Sequence, residues 1–319
     1  MLHMLISLVE PCYNEEAALP ILYQALCEVR DSVKDSGRTF EFIFVNDGSR
    51  DKTAEVIRGL ASSDKDVKYV FFSRNFGKEA AMYAGMEAAK GEYVAILDAD
   101  MQDPPSLIPD MIKSLDSGEC DIVAARRVTR KGEPKIRSFF ARMFYKIINK
   151  MCDIEIADGA RDFRLMTRPV VDAILSMGEK QRFSKGIFAW VGFRTRWIEH
   201  ENVERVAGET KWSFWKLFKY AVDGIVAFTT APLRIATYTG MALAAGAFGY
   251  LLYYFIRAII MKIWTTNAGY PSLLCFILFI GGLVLMALGL IGEYIGSIYV
   301  ETKARPIYIK SEDNIRQDT

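Results

Sequence analysis

The chain has 319 residues, 25% of them charged and 51% hydrophobic, with a formal net charge of +1. That length allows about two domains, and so balanced a charge gives no support to nucleic-acid binding as the main business. Cys12, Cys27, Cys120, Cys152 and Cys275 show no C-x-x-C spacing, which argues against a disulfide scaffold or zinc ribbon and fits a reducing compartment.

The amino terminus runs straight into an apolar strand, without the basic region and cleavage site of a signal peptide. Strands are predicted at 5–9, 40–45, 67–72 and 93–97, and helices at 15–33, 52–60 and 78–89. Such alternation implies an α/β fold with a largely parallel sheet and right-handed crossovers. No G-x-G-x-x-G follows the first strand, so a dinucleotide fingerprint is absent. Polar loops follow the strands instead: Pro11-Cys12-Tyr13-Asn14-Glu15-Glu16, Asn46-Asp47-Gly48-Ser49 and Asp98-Ala99-Asp100-Met101-Gln102-Asp103. Open α/β sheets bind ligands at the carboxyl ends of their strands, so these loops should line one nucleotide-sized cleft.

The third loop carries the most chemistry. Two carboxylates at i and i+2 are hard oxygen ligands, suited to Mg²⁺ or Mn²⁺ when substrate phosphates complete the shell. A solvated strand-end turn is the bland alternative, and Pro104-Pro105 favours a turn there.

Further along, Ile136, Phe139, Phe140, Met143, Phe144, Ile147, Ile148 and Met151 recur at helical spacing, with Arg137, Arg142, Lys146 and Lys150 on other faces. Trp212, Phe214, Trp215 and Phe218 interleave with Lys211, Lys216 and Lys219. Both stretches (134–151 and 211–230) are expected to lie in a membrane headgroup plane; packing on the sheet is the alternative. Beyond residue 232 the chain changes character. Residues 235–256 and 271–292 are apolar runs of bilayer-spanning length, read as two transmembrane helices. Lys211, Lys216, Lys219 and Arg234 precede them and Lys303, Arg305 and Lys310 follow, whereas the connecting loop holds Arg257 and Lys262. The positive-inside rule then puts the soluble domain (1–232) and the tail (301–319) in the cytoplasm, around a membrane segment at 233–300. Small residues at Gly240, Ala244, Gly281 and Gly282 permit close helix packing and leave room for a homo-oligomer.

Taken together, Pro-Cys-Tyr-Asn-Glu-Glu, Asn-Asp-Gly-Ser, Asn75-Phe76-Gly77-Lys78 and Asp98 to Pro105 resemble the inverting family-two glycosyltransferases of GT-A fold. Arg161-Asp162-Phe163-Arg164-Leu165, Arg182-Phe183-Ser184-Lys185-Gly186, Gly208-Glu209-Thr210-Lys211-Trp212 and Gly292-Glu293-Tyr294-Ile295-Gly296 narrow the likeness to polyisoprenyl-phosphate glycosyltransferases. That group includes bactoprenol glucosyltransferases and dolichol-phosphate mannose synthases. The resemblance implies transfer of a sugar, glucose first, from a UDP-sugar to a polyprenyl phosphate such as undecaprenyl phosphate at the cytoplasmic membrane. Two departures stand out: Asn46 where relatives commonly carry Asp, and Ala157-Asp158-Gly159-Ala160 before Arg161.

By the same resemblance, Pro11, Tyr13, Asn14, Glu15, Asn46 and Asp47 hold the nucleoside, and Lys78 neutralises the diphosphate. Asp98, Asp100 and Gln102 take Mg²⁺ or Mn²⁺, directly or through water. Asp162 is the base or an orienting carboxylate, the alternative being a salt bridge to Arg161 or Arg164. An anionic acceptor needs cations, for which Arg126, Arg137, Arg205 and Lys211 are the candidates. A processive polysaccharide synthase is the first rival, but Gln181-Arg182-Phe183-Ser184-Lys185 does not match its Q-x-x-R-W signature. A non-catalytic scaffold or flippase partner is the second, and the intact Asp98/Asp100 pair argues against it.

Overall fold

The computed structural model describes residues 4–127, 149, 157, 159–200, 229–261 and 269–315. The chain divides into two compact units, Met1–Ala221 with Arg305–Thr319, and Val222–Ala304.

The first unit is built on an eight-stranded sheet. In chain order its elements are β1 (Met4–Cys12), α1 (Leu19–Ser32), β2 (Arg38–Asn46), α2 (Thr53–Ser63), β3 (Val67–Phe72), α3 (Lys78–Ala88), β4 (Tyr93–Ile96), α4 (Ile108–Asp116), β5 (Ile122–Arg127), β6 (Ala160–Thr167), α5 (Arg168–Ser176), α6 (Ser184–Trp190) and β7 (Thr195–His200). The strand order is β7-β5-β6-β4-β1-β2-β3-β8, with β8 (Lys310–Asp313) supplied by the end of the chain. The β1–β2, β1–β4, β2–β3 and β5–β7 pairs are parallel; β4–β6, β5–β6 and β3–β8 are antiparallel.

Apolar periodicity explains the layers. Leu19, Leu22, Leu26 and Val29 make the buried stripe of α1, and Ile108, Met111, Ile112 and Leu115 that of α4. Both stripes join Ile6, Leu8, Phe42, Phe44, Ala95 and Leu97 from the sheet in one core cluster. On α3 the buried residues are mostly small (Ala80, Ala81, Ala84 and Gly85), which brings the helix close to the sheet. A Cβ on Gly85 would lie 2.1 Å from Val9 Cγ1.

The segment read from sequence as a tail instead returns to the sheet. Its run Lys310-Ser311-Glu312-Asp313 lacks apolar alternation, and backbone pairing with β3 gives it strand form. Glu312 receives Arg58 Nη2 at 2.6 Å and the Tyr69 hydroxyl at 3.0 Å, and Asn314 accepts the Tyr69 amide at 2.7 Å.

The second unit holds two long helices, α7 (Ala231–Met261) and α8 (Tyr270–Thr302). The Tyr294 hydroxyl donates to the Thr229 carbonyl at 2.6 Å. Large apolar side chains lie exposed along both, among them Tyr238, Phe248, Leu285 and Met286. Among the described residues one stretch, Phe279–Thr302, is long and apolar enough to cross a membrane.

Candidate active site

Because β1, β2 and β4 run parallel, their carboxyl ends deliver the three polar loops to one edge of the sheet. Strand β6 runs the other way, so its first residues arrive at that same edge. The β4–β6 register pairs Ile96 with Arg164. Two residues on from Ile96 and two back from Arg164 lie Asp98 and Asp162. Antiparallel geometry therefore brings together two carboxylates far apart in sequence.

Lys78, the first residue of α3, sits between them. Its ammonium lies 2.6 Å from Asp98 Oδ1 and is also paired with Asp162 Oδ2. Burial disfavours the charge on Lys78, but Asp162 and Asp98 outweigh it and hold its pKa above the ordinary lysine range. Burial likewise opposes ionisation of Asp162, yet Lys78 and Lys185 keep its pKa well below the carboxylate range. Asp98 is raised, chiefly by burial. A single ammonium thus serves two carboxylates and favours Asp162. The alternative reading of Asp162, a salt bridge to Arg161 or Arg164, is not the pairing seen among the described residues, where Asp162 meets Lys78. Arg164 is buried, its guanidinium carbon 3.4 Å from the centre of the Phe188 ring, and it donates to the backbone carbonyls of Asp162 and Arg161.

Arg161 turns instead to the Asp98–Asp103 loop. Its Nε lies 3.0 Å from Asp103 Oδ1 and its Nη2 donates to Gln102 Oε1 at 3.0 Å. His200 Nε2, at the end of β7, is 3.2 Å from the same Asp103 oxygen. Asp103, side chain fully buried, is held below the usual carboxylate range by His200 and Arg161 against the opposing effect of burial. Sequence reasoning missed Asp103 and His200 as site-forming residues: neither stands in a spacing that signals the other. Arg161 was visible only as a neighbour of Asp162.

On the nucleoside side, the residues expected to bind ligand also brace the loops against one another. The Asn14 amide donates to Ser49 Oγ at 3.0 Å, and Asn14 Oδ1 accepts the Arg50 amide at 2.8 Å. Asn14 takes a left-handed φ of 55°, which asparagine tolerates better than most residues. The Glu15 amide donates to Thr53 Oγ1, and Asn46 Oδ1 accepts the Ser49 amide. Asp47 accepts from Asn75 Nδ2 and from the amides of Phe76 and Gly77, fixing the turn that launches Lys78. Burial raises the Asp47 pKa to about 6, against those amides. Pro11 and Tyr13 lie half-buried in the first loop, and Arg126 is half-buried on β5 opposite Ala160. Arg137, Arg205, Lys211 and almost all of the two amphipathic stretches fall outside the described residues.

The donor set suits a hard divalent cation. Asp98 already holds a cationic group, the Lys78 ammonium, and Asp100 is near enough to raise the Asp98 pKa further. Asp100 Oδ1 accepts the Gln102 amide at 3.1 Å, whereas the Gln102 side-chain oxygen is engaged by Arg161. Among the described residues, no group of three or more His, Cys, Asp or Glu is gathered to hold a metal unaided. Asp98 and Asp100, with Gln102 directly or through water, are the residues that would hold Mg²⁺ or Mn²⁺, with diphosphate oxygens completing the shell.

Known proteins resemble this chain in sequence. Residues 7–175 match the family described as Glycosyl transferase family 2, and residues 231–298 match the GtrB C-terminal hairpin. The prophage bactoprenol glucosyl transferase homolog of Escherichia coli strain K12 is 44% identical over 306 residues, covering 96% of this chain and 98% of that protein. The bactoprenol glucosyl transferase of Shigella phage SfV is 43% identical over 306 residues, covering 96% and 98%. Among solved structures, glucosyl-3-phosphoglycerate synthase from Mycobacterium tuberculosis, in complex with Mn²⁺ and UDP-glucose, aligns at 19% identity with a TM-score of 0.45, covering 70% of this chain and 77% of that one.

Proposed function

Since this chain belongs to glycosyltransferase family 2 and carries the GtrB-type hairpin at residues 231–298, we propose that it moves a sugar from a UDP-sugar to a polyprenyl phosphate. The reaction inverts the anomeric carbon and releases UDP. Glucose is the favoured sugar and undecaprenyl phosphate the favoured acceptor, because relatives of almost the same length are named bactoprenol glucosyl transferases. The observation that carries the reading to the atomic level is the register that faces Asp98, on the donor loop, with Asp162 on β6.

The chemistry asks little of a base. A phosphomonoester oxygen is already largely ionised at neutral pH, its second pKa being about 6. Asp162, kept ionised by Lys78, therefore orients charge rather than abstracting a proton. Rate enhancement rests on alignment of acceptor and sugar and on charge stabilisation at the leaving diphosphate. A bound Mg²⁺ or Mn²⁺ would supply part of that stabilisation. Arg126, together with Arg137, Arg205 and Lys211, would receive the lipid phosphate, Arg being favoured for its bidentate fork.

The exposed apolar side chains of α7 and α8 suit lipid. Both helices are proposed to span the cytoplasmic membrane (about 235–256 and 271–292), with the GT-A domain (1–232) and the chain's end (301–319) on the cytoplasmic side. The stretches at 134–151 and 211–230 would rest at the headgroups and bring the acceptor to the sheet edge.

The test uses purified protein, Mn²⁺, undecaprenyl phosphate and a panel of radiolabelled UDP-sugars, with label entering the organic phase as the readout. Transfer from one donor is expected. Absence of transfer from every donor, despite saturable UDP binding, overturns the donor or acceptor assignment. Asp100→Asn is expected to lower turnover by at least 100-fold without altering the melting temperature; normal turnover would sink the metal assignment.

A further inference from the structure

Lys78 holds a position that a generic phosphate-binding lysine does not require. Its ammonium contacts both Asp98 Oδ1 and Oδ2, at 2.6 and 2.9 Å, and pairs with Asp162 on the opposite strand. The lysine is fixed at the base of α3 by a turn whose amides are clamped on Asp47. It follows Gly77, which takes a φ of 101° that an L side chain rarely adopts. An ammonium tied to both Asp98 oxygens and to Asp162 neutralises the carboxylate that a divalent cation would use.

We propose that Lys78 is an internal cation that keeps Asp98 occupied until a nucleotide diphosphate draws its ammonium away, so that the carboxylate opens to a metal only when the donor is present. This deepens the metal–diphosphate reading above and rests on it. The physical cause is competition between like charges for one carboxylate. Without diphosphate, placing a divalent cation at Asp98 leaves the Lys78 ammonium beside it with Asp162 as its remaining partner among the described residues. With diphosphate, the ammonium gains new anionic oxygens, and Asp98 and Asp100 become available together. Asp47 belongs to the same device, because it sets the turn from which Lys78 reaches both partners. The consequence is linkage: metal and nucleotide each strengthen the binding of the other.

The test measures Mn²⁺ binding directly, from the electron paramagnetic resonance signal of the free ion, on full-length protein in detergent. Wild type, K78R and K78M are compared without nucleotide and with UDP. K78M is expected to bind nucleotide-free Mn²⁺ at least tenfold more tightly than wild type, while K78R, which keeps a cation, stays near wild type. With UDP present the advantage of K78M shrinks or reverses. Equal nucleotide-free affinity in K78M and wild type, when wild type does bind Mn²⁺ with UDP, overturns the proposal. No Mn²⁺ binding by wild type even with UDP overturns the underlying metal reading instead. Should K78M fail to fold, D162N and the double variant K78M/D162N, which keeps the wild-type net charge, repeat the comparison. There the double variant must bind nucleotide-free Mn²⁺ more tightly than D162N, and equal binding again overturns the proposal.

Discussion

At the scale of single residues, Glu10 shows how burial alone changes a side chain. It is completely buried on β1, and among the described residues neither carboxyl oxygen meets a donor at bonding geometry. Burial pushes its pKa well above the ordinary value, and the nearby Ile43 backbone only partly offsets this. In the unfolded chain the same group ionises near pH 4.3. Above that pH, folding must take up a proton. Stability is fully present below about pH 4.3 and is lost as pH rises toward the folded pKa, by up to about 1.4 kcal/mol per pH unit. Glu10→Gln, of the same shape and never charged, should remove this slope. Its melting temperature is expected to match wild type near pH 4 and to exceed it at pH 7.5; parallel curves across that range would refute the assignment. The D-x-D carboxylates and Lys78 were legible as chemistry in the sequence, but the partners of Lys78 were not. They lie 20 and 84 residues away, joined by strand register rather than local spacing.

Among the elements, α3 links packing to the site because its first residue is Lys78. Its Gly85 admits no side chain: a Cβ would come within 2.1 Å of Val9 Cγ1 and 3.2 Å of Val45 Cγ2. Gly85→Ala should therefore lift the helix from the sheet at a cost of about 1–3 kcal/mol and lower turnover by displacing Lys78. Thermal melts and initial rates check this, with Val9→Ala in the same chain expected to restore both. Strands β1 to β4 and helices α1 to α3 were readable because their apolar residues repeat at the period of each element. β8 was not, since its polar residues are held by backbone pairing and by contacts to Arg58 and Tyr69. The Arg58–Glu312 pair is well exposed, so Arg58→Ala should cost no more than about 1 kcal/mol, read as a shift in the denaturation midpoint.

For the whole molecule, the proposed orientation predicts where a membrane-impermeant thiol reagent can reach. Gly269→Cys, at the N-cap of α8, should be labelled on intact cells, and Asn314→Cys only after permeabilisation. The opposite pattern would invert the topology. β8 makes a stricter demand. The chain leaves the sheet after His200 and ends back on it, hydrogen-bonded to β3. A thread whose two ends are sewn into one body must cross any intervening plane an even number of times. If α8 crosses the bilayer, another stretch between His200 and Arg305 must cross back, and α7, with 31 residues, is the described helix long enough to do so. In the proposed membrane reading, a single crossing would be incompatible with the return of the final strand.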